Sequence, residues 1–199
     1  MRTETSFGPW EPLTPIEVGV LLREIGVPFW IAGGYTIEAF VGRALREHAD
    51  IDVGIFRADQ LRVRAYLARW DAHCADPPGT LRPWPIGETL PLGVHDVWLR
   101  ERSEAPWRFQ LMLNERDDAN WVSRRDPGTR VPLARLTFER GGLPYLAPEI
   151  QLLFKAKEAR AKDETDFDVA RPLLSRAQSH WLRRHLEAEL PGHPWLVRL

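Results

Sequence analysis

The sequence has little cysteine and no long apolar run. Cys74 is the only cysteine among 199 residues, which excludes an intramolecular disulfide and makes this thiol a poor zinc ligand. No stretch reaches the roughly twenty uninterrupted apolar residues that a membrane span needs, and the N-terminal residues lack an apolar run typical of a signal peptide. We therefore expect a globular cytoplasmic protein that has no membrane partner.

An excess of charge and several well-known catalytic motifs are also missing. The 27 basic and 28 acidic residues give a net charge of -1, which disfavours nucleic acid as a partner. No GxxxxGK[ST], HExxH or GxSxG string occurs, so a P-loop NTPase, a zinc protease and a serine hydrolase have no support. The sequence does not indicate an oligomeric state.

Apolar periodicity predicts a mixed α/β fold. The first helix is predicted after Thr14 as its N-cap, with Ile16, Val20 and Leu21 at helical spacing. Strand and helix signals then alternate, and "VHDVWLRER" and "WRFQLMLNE" have the pattern of a β-hairpin. From Pro148 onward the signal is helical. We expect the α/β (α+β) class, a mixed sheet flanked by helices and followed by a small helical segment, with domains at 1–147 and 148–199.

The stretch "WIAGGYTIEAFVGRALREHADIDVGIF" contains candidate phosphate-binding and metal-binding residues. Gly33 and Gly34 follow a short strand and precede a helix, so a phosphate is expected to approach the backbone at the helix N-terminus. Asp50 and Asp52 lie two residues apart on the next strand and point to the same face. Two such carboxylates repel each other unless a cation lies between them. Mg²⁺, which prefers oxygen ligands, suits this site.

This stretch resembles the signature of the nucleotidyltransferase superfamily, in its aminoglycoside 2″-adenylyltransferase and lincosamide nucleotidyltransferase branch. Sequences of that branch have the form GGWAIDxxxGRxTRxHxDIDh. Tyr35 replaces the usual Trp and Glu38 the usual Asp. The positions that fall directly on the pattern are Gly33, Gly34, Ile37, Gly42, Arg43, Arg46, His48, Asp50, Ile51 and Asp52.

The resemblance implies transfer of a nucleoside monophosphate from ATP, or another nucleoside triphosphate, to a hydroxyl of a small acceptor. Asp50 and Asp52 would bind Mg²⁺, and the two glycines would hold phosphates. Arg43 and Arg46 would supply fixed positive charge, since a guanidinium matches phosphate geometry. His48 lies close enough to Asp50 in sequence to reach the same phosphates.

A weaker resemblance covers "PEIQLLFKAKEARAKDETDF", which is similar to a helical element that follows the catalytic domain in related families. Lys155 and Lys162 are seven residues apart and would share a face if one helix spanned both. Such a pair would neutralise nucleotide phosphates. Asp163 and Asp166 are expected to stabilise the start of the following helix.

The chain departs from the superfamily pattern at the third carboxylate. Its position matches Gln110, whose amide oxygen can bind a metal but cannot act as a general base. Asp96, Glu115 and Glu38 are the candidates to replace it.

Three hypotheses follow from these patterns. The leading one is a metal-dependent nucleotidyltransferase that modifies an aminoglycoside-like or lincosamide-like acceptor. The second, motivated by Gln110, is a nucleotide-binding protein of the same fold whose catalysis is weak or lost. The third is a toxin-like nucleotidyltransferase that acts on RNA or protein.

Overall fold

The computed structural model describes residues 2–199 and contains one mixed sheet. The strand order is β4-β3-β5-β6-β2-β1-β10-β9, and β7 and β8 continue from β6. The strands are Phe29–Ile31 (β1), Asp52–Phe56 (β2), Asp71–Cys74 (β3), Arg82–Pro83 (β4), Asp96–Arg100 (β5), Phe109–Arg116 (β6), Asn120–Val122 (β7), Arg130–Pro132 (β8), Thr137–Arg140 (β9) and Leu143–Leu146 (β10). The α-helices are Pro15–Leu22 (α1), Gly33–Val41 (α2), Gln60–Tyr66 (α3), Pro148–Ala156 (α4), Ala161–Ala170 (α5) and Arg176–Glu189 (α6).

Strand β2 is central to the sheet and carries Asp52 as its first residue. It pairs antiparallel with β1 and parallel with β6. Val53 and Ile55 are fully buried in the core, together with Leu111 of β6. Because side chains alternate along a strand, Asp52 projects from the opposite face. The predicted hairpin is confirmed by the antiparallel pairing of β5 and β6.

The predicted helix α1 is observed, but two of the three apolar residues that indicated it are not the ones it buries. The helix begins as expected, with a capping box between Thr14 and Glu17. However, Ile16 and Val20 are 72% and 61% exposed, whereas Val18 and Leu22 are fully buried. Most of this helix is apolar, so two different stripes with i, i+4 spacing exist and periodicity alone does not decide between them.

The single helix that would carry both Lys155 and Lys162 is not observed. Helix α4 ends at Ala156 and α5 begins at Ala161. Between them Ala159 has a positive φ of 41°, and Asp163 accepts the backbone N–H of Arg160, which starts a new helix. The two lysines therefore belong to different helices.

The C-terminal helices pack on α2. One apolar cluster joins Ile37 of α2 to Leu152, Phe167, Leu186 and Trp195. This packing holds the glycine end of α2 close to α4 and α5. The division of the chain at residue 147 stays a prediction. None of the helices within residues 2–199 is long and apolar enough to cross a lipid bilayer.

Candidate active site

Two glycines place the N-terminus of α2 directly against the second aspartate. Gly33 has a φ of 71°, a conformation that favours glycine. A Cβ atom at this position would lie 2.6 Å from Oδ2 of Asp52, and one at Gly34 would lie 2.3 Å from Cε1 of His48. The N–H of Gly33 donates to Oε1 of Gln151 at 2.8 Å. Only glycine fits this turn without displacing the groups around it.

Asp50 and Asp52 lie at the start of β2 and line the same cleft. Asp50 is exposed and precedes the strand by two residues. The pKa of Asp52 is raised to about 7, first by burial and then by the negative charges of Asp50 and Asp96. Burial and neighbouring carboxylates therefore disfavour the charged form of Asp52, while Lys155 and Lys162 favour it.

The opposite wall of this cleft is cationic. The cleft has a volume of about 240 Å³ and also contains Gly33, Gly34, His48 and Gln151. Its basic side chains come from the β7–β8 region, from α4 and from the segment leading into α5: Arg125, Lys155, Lys157, Arg160 and Lys162. Carboxylates thus face a row of cations across a space next to a helix N-terminus. This arrangement suits a metal-bound polyphosphate.

Lys155 and Lys162 line the cleft in different ways. Lys155 is buried, and its Nζ lies 2.8 Å from both Oδ1 of Asp163 and Oδ2 of Asp166. Both aspartates are completely buried. Lys162 is exposed on the first turn of α5. Lys155 therefore compensates the charge of buried carboxylates, and of these two lysines Lys162 is the one exposed to the open cleft.

The two arginines after α2 also have different positions. Arg46 lines the cleft and forms a bidentate ion pair with Asp166. It thereby ties the loop after α2 to α5. Arg43 is exposed and is not among the residues that line the cleft. Its predicted role in nucleotide binding stays a prediction without a supporting contact.

His48 and Glu38 form a pair beneath the glycine turn. The His48 ring lies on Tyr35, with ring centroids 4.0 Å apart, and its Nε2 is 2.9 Å from Oε1 of Glu38. The same carboxylate accepts the backbone N–H groups of Leu45 and Arg46. Burial alone would raise the pKa of Glu38, but these hydrogen bonds lower it. Glu38 therefore holds the loop that precedes Asp50.

Gln110 lies directly beside Asp52, because these two residues are partners in the parallel pairing of β2 and β6. Its Nε2 donates to Oδ1 of Asp96 on β5 at 3.0 Å. Glu115 lies further along β6, where it forms an ion pair with the buried Arg57. Of the three acids considered as replacements for the third carboxylate, Asp96 contacts Gln110.

Several residues of the cleft were not among those predicted from the sequence. Gln151 is a buried polar residue on an otherwise apolar stretch of α4, and such a residue is a cue to a specific partner. Arg125 contacts the carbonyl oxygen of Phe154 at 3.3 Å and lies over its ring. Lys157 and Arg160 reach the cleft only because the chain breaks between α4 and α5.

The cleft has the ligands for a divalent cation only in part. Within residues 2–199, no group of three or more His, Cys, Asp or Glu side chains could enclose a metal ion. Two carboxylates in an acidic environment fit Mg²⁺, which keeps waters and takes further oxygens from substrate phosphates. The protein would therefore supply two carboxylate ligands, and the phosphates of a bound triphosphate together with waters would supply the others.

Solved structures share this fold, and a family model spans the glycine turn and the two aspartates. Residues 16–74 match the family model described as aminoglycoside-2''-adenylyltransferase. The crystal structure of the lincosamide antibiotic adenylyltransferase LnuA, lincomycin-bound, is 17% identical with a TM-score of 0.57, covering 82% of this chain and 100% of that chain. The crystal structure of ANT(2'')-Ia in complex with adenylyl-2''-tobramycin is 14% identical with a TM-score of 0.55, covering 87% and 94%.

A solution structure of the antibiotic-resistance factor ANT(2'')-Ia is also similar, at 16% identity and a TM-score of 0.54, covering 87% of this chain and 90% of that chain. Among curated proteins, none matches this sequence. The structural likeness shows that the fold is shared and confirms the predicted fold class. The family match over residues 16–74 confirms the predicted resemblance and agrees with the interpretation of the chain as a nucleotidyltransferase.

Proposed function

We propose that this chain is a metal-dependent nucleotidyltransferase that moves a nucleoside monophosphate from ATP, or another nucleoside triphosphate, to a hydroxyl of a small molecule in the cytoplasm. One observation carries the proposal. The glycine turn of α2 lies against Asp52 on one side of a cleft, and a row of cationic side chains lines the other side. A triphosphate needs all three features at once.

Each part of the cleft has a role in holding the nucleotide. The free N–H groups and positive dipole end of α2 face the terminal phosphates. Lys162 and Arg160 add positive charge from the opposite wall, where Lys162 is exposed. Gln151 holds the N–H of Gly33 and so fixes the turn before the nucleotide arrives.

Asp50 and Asp52 would hold Mg²⁺. When bound, the ion neutralises charge that develops on the phosphates and helps align the attacking and leaving oxygens. The pKa of Asp52 is raised first by burial and then by the charges of Asp50 and Asp96, and a cation bound beside these carboxylates would offset both effects. The two aspartates would also place the α-phosphate of the nucleotide at the start of β2, beside Gln110.

Two acceptor classes are suggested by the similar proteins, since one is bound to lincomycin and another to an adenylylated tobramycin. A second cavity of about 130 Å³ adjoins the cleft at Asp52. Trp30, Met112 and Phe154 give it apolar walls, and Arg124 is an exposed cation at its edge. This cavity offers a place for a ring of the nucleobase or of the acceptor.

The experiment measures pyrophosphate release with each of four nucleoside triphosphates and Mg²⁺ over a panel containing lincomycin, tobramycin and simple polyols. Calorimetry measures triphosphate binding in parallel. The Asp50→Asn/Asp52→Asn variant removes both carboxylate charges, and Asp118→Asn, at an exposed position, is the matched control. We expect turnover in wild type and control and none in the double variant.

Other results would redirect the proposal. Binding without turnover on any acceptor would support a nucleotide-binding protein that has lost catalysis. Growth inhibition on expression, relieved by Asp50→Asn, together with no small-molecule product, would support the toxin-like alternative. Absence of both binding and turnover would refute the nucleotidyltransferase proposal.

A further inference from the structure

Gln110 occupies the position expected for the third carboxylate, and its side-chain amide is hydrogen-bonded to Asp96 on the neighbouring strand β5. Gln110 pairs with Asp52 on one side, in register with β2, and with Trp98 on the other, in register with β5. Asp96 lies two residues from Trp98 and therefore on the same face of the sheet. The 3.0 Å hydrogen bond from Gln110 Nε2 to Asp96 Oδ1 spans the two strands.

The other two acids near the site are already engaged. Glu115 pairs with Arg57, which is also held by the carbonyl oxygen of Pro91. Glu38 accepts two backbone N–H groups and contacts His48. Freeing either carboxylate would leave its donors without an acceptor, which is costly in a part-buried position.

Asp96 retains a carboxylate oxygen for chemistry. Within residues 2–199, Oδ1 accepts from Gln110 and no hydrogen bond is made to Oδ2. Asp96 and Gln110 are both only partly buried, and Met112, which is the partner of Asp96 in the pairing of β5 and β6, lines the cavity beside Asp52.

We infer that Asp96 is the catalytic base of this chain and that Gln110 is the residue that positions it. This inference rests on the proposed function. The acceptor hydroxyl gives its proton to Oδ2 of Asp96 as its oxygen forms a bond to the α-phosphorus. The bond from that phosphorus to the bridging oxygen of the β-phosphate breaks, and pyrophosphate leaves with the electron pair.

The neutral amide at Gln110 is required by this arrangement. A carboxylate at residue 110 would lie within hydrogen-bond distance of Asp96, and two carboxylates so close do not both ionise. An acid and an amide avoid this repulsion, because the amide N–H donates a hydrogen bond that the carboxylate accepts. The acid of this chain, Asp96, therefore lies on β5, and the amide of Gln110 occupies the position on β6 that matches the third carboxylate of the superfamily.

The test exchanges the two groups. Asp96→Asn is expected to lower kcat about 100-fold, the size of a typical general-base contribution, with triphosphate binding unchanged by calorimetry. Gln110→Asp alone is expected to be impaired as well. The Asp96→Asn/Gln110→Asp double variant restores one acid and one amide and is expected to regain most of the activity, while Asp118→Asn is unaffected.

A second variant separates positioning from folding. Gln110→Leu removes the hydrogen-bond donor to Asp96, and we expect the acidic limb of the kcat–pH profile to move to higher pH with little change in KM. A merely structural role for Gln110 would alter the melting temperature but not that limb.

The readout includes hydrolysis of ATP to AMP and pyrophosphate with water as the acceptor, so it does not depend on finding the right compound. Retention of wild-type rates by Asp96→Asn, with an active wild type, would overturn the inference alone. Failure of the double variant to exceed Asp96→Asn would also overturn it. An inactive wild type, with neither hydrolysis nor transfer, would refute the proposed function and the inference with it.

Discussion

Gly33 and Asp52 are in such close contact that a Cβ atom on the glycine would lie 2.6 Å from the carboxylate oxygen Oδ2. The φ of Gly33 is 71°, so a side chain would also be strained in its backbone. This contact sets the separation between the helix N-terminus, which we expect to hold phosphate, and a carboxylate that we expect to hold metal.

Gly33→Ala is therefore expected to abolish Mg²⁺–ATP binding, measured by calorimetry. The backbone conformation alone costs roughly 1–2 kcal/mol for a residue with a side chain, so stability must be controlled. Gly141→Ala is the matched variant, because Gly141 has a φ of 59° and open space around it. It should lose similar stability and keep full binding. Equal binding in the two variants would show that the contact with Asp52 has no role in the site.

Asp52→Asn is expected to stabilise the metal-free protein at pH 8. The folded state raises the pKa of this carboxyl from 3.8 to about 7, so the folded protein binds more protons than the unfolded chain between these values. Stability is then lost as pH rises through this range. Removing the charge should increase the free energy of unfolding at pH 8 by about 1–3 kcal/mol.

Thermal unfolding at pH 4 and pH 8 in the presence of a chelator measures this effect. The difference in melting temperature between wild type and Asp52→Asn should shrink toward pH 4. Saturating Mg²⁺ with ATP should reverse the sign of this difference, because only wild type is stabilised by binding the ion. Asp118→Asn should show no such pH dependence. A variant that is less stable than wild type at pH 8 would contradict the account of the site as electrostatically strained.

Lys155→Met is expected to destabilise the protein by about 3–5 kcal/mol, as removal of one partner from a buried ion pair does. Asp163 and Asp166 would keep buried negative charge with only Arg160 and Arg46 to compensate it. Lys157→Met, on the same cleft but exposed, should change stability little. Urea unfolding checks both variants, and similar midpoints would refute a structural role for Lys155.

The network around Lys155 should also weaken in acid. Burial alone would raise the pKa of Asp163, but its hydrogen bonds with Arg160 and Lys155 lower it overall. A lowered pKa means that the stabilisation is present above the ordinary carboxyl pKa and is lost as pH falls through the folded value. In Lys155→Met this acid-sensitive part of the stability should decrease, which a pH series of urea midpoints measures.

Lys162→Ala is expected to weaken ATP binding by about tenfold while leaving AMP binding nearly unchanged. Lys162 is exposed and lines the cleft. A tenfold loss of affinity corresponds to about 1.4 kcal/mol of binding free energy. The loss should decline at high salt because the contact is exposed. Arg102→Ala is the control, since Arg102 is exposed and does not line the cleft. An equal loss for ATP and AMP would contradict a contact with the terminal phosphates.

The glycine turn and the aspartate strand were predictable because their spacing is local. Gly33, Gly34, Asp50 and Asp52 lie within 20 residues of one another, and strand alternation fixes which side chains share a face. The buried face of α1 was not predictable, since Ile16/Val20 and Val18/Leu22 satisfy the same spacing. Tertiary packing beneath the sheet decides between these stripes.

The cationic wall was only partly predictable, for a reason that lies in the α4–α5 connection. The residues Lys157, Glu158, Ala159 and Arg160 are all compatible with a continuous helix, yet Ala159 adopts a positive φ and Asp163 caps a new helix. All three of Lys155, Lys157 and Arg160 line the cleft, but Lys155 is buried there whereas Lys157 and Arg160 are exposed. The hydrogen bonds of Gln151 to Gly33 and of Gln110 to Asp96 depend on long-range register that periodicity does not contain.

The most direct test of the central claim follows the α-phosphate. Wild-type protein is incubated with Mg²⁺, an acceptor from the panel and ATP that carries a radioactive phosphorus at either the α or the γ position. The account predicts that label from the α position becomes attached to the acceptor, that γ label leaves as pyrophosphate, and that Asp50→Asn/Asp52→Asn does neither. Transfer of γ label to the acceptor, or transfer of α label that survives loss of both aspartates, would contradict it.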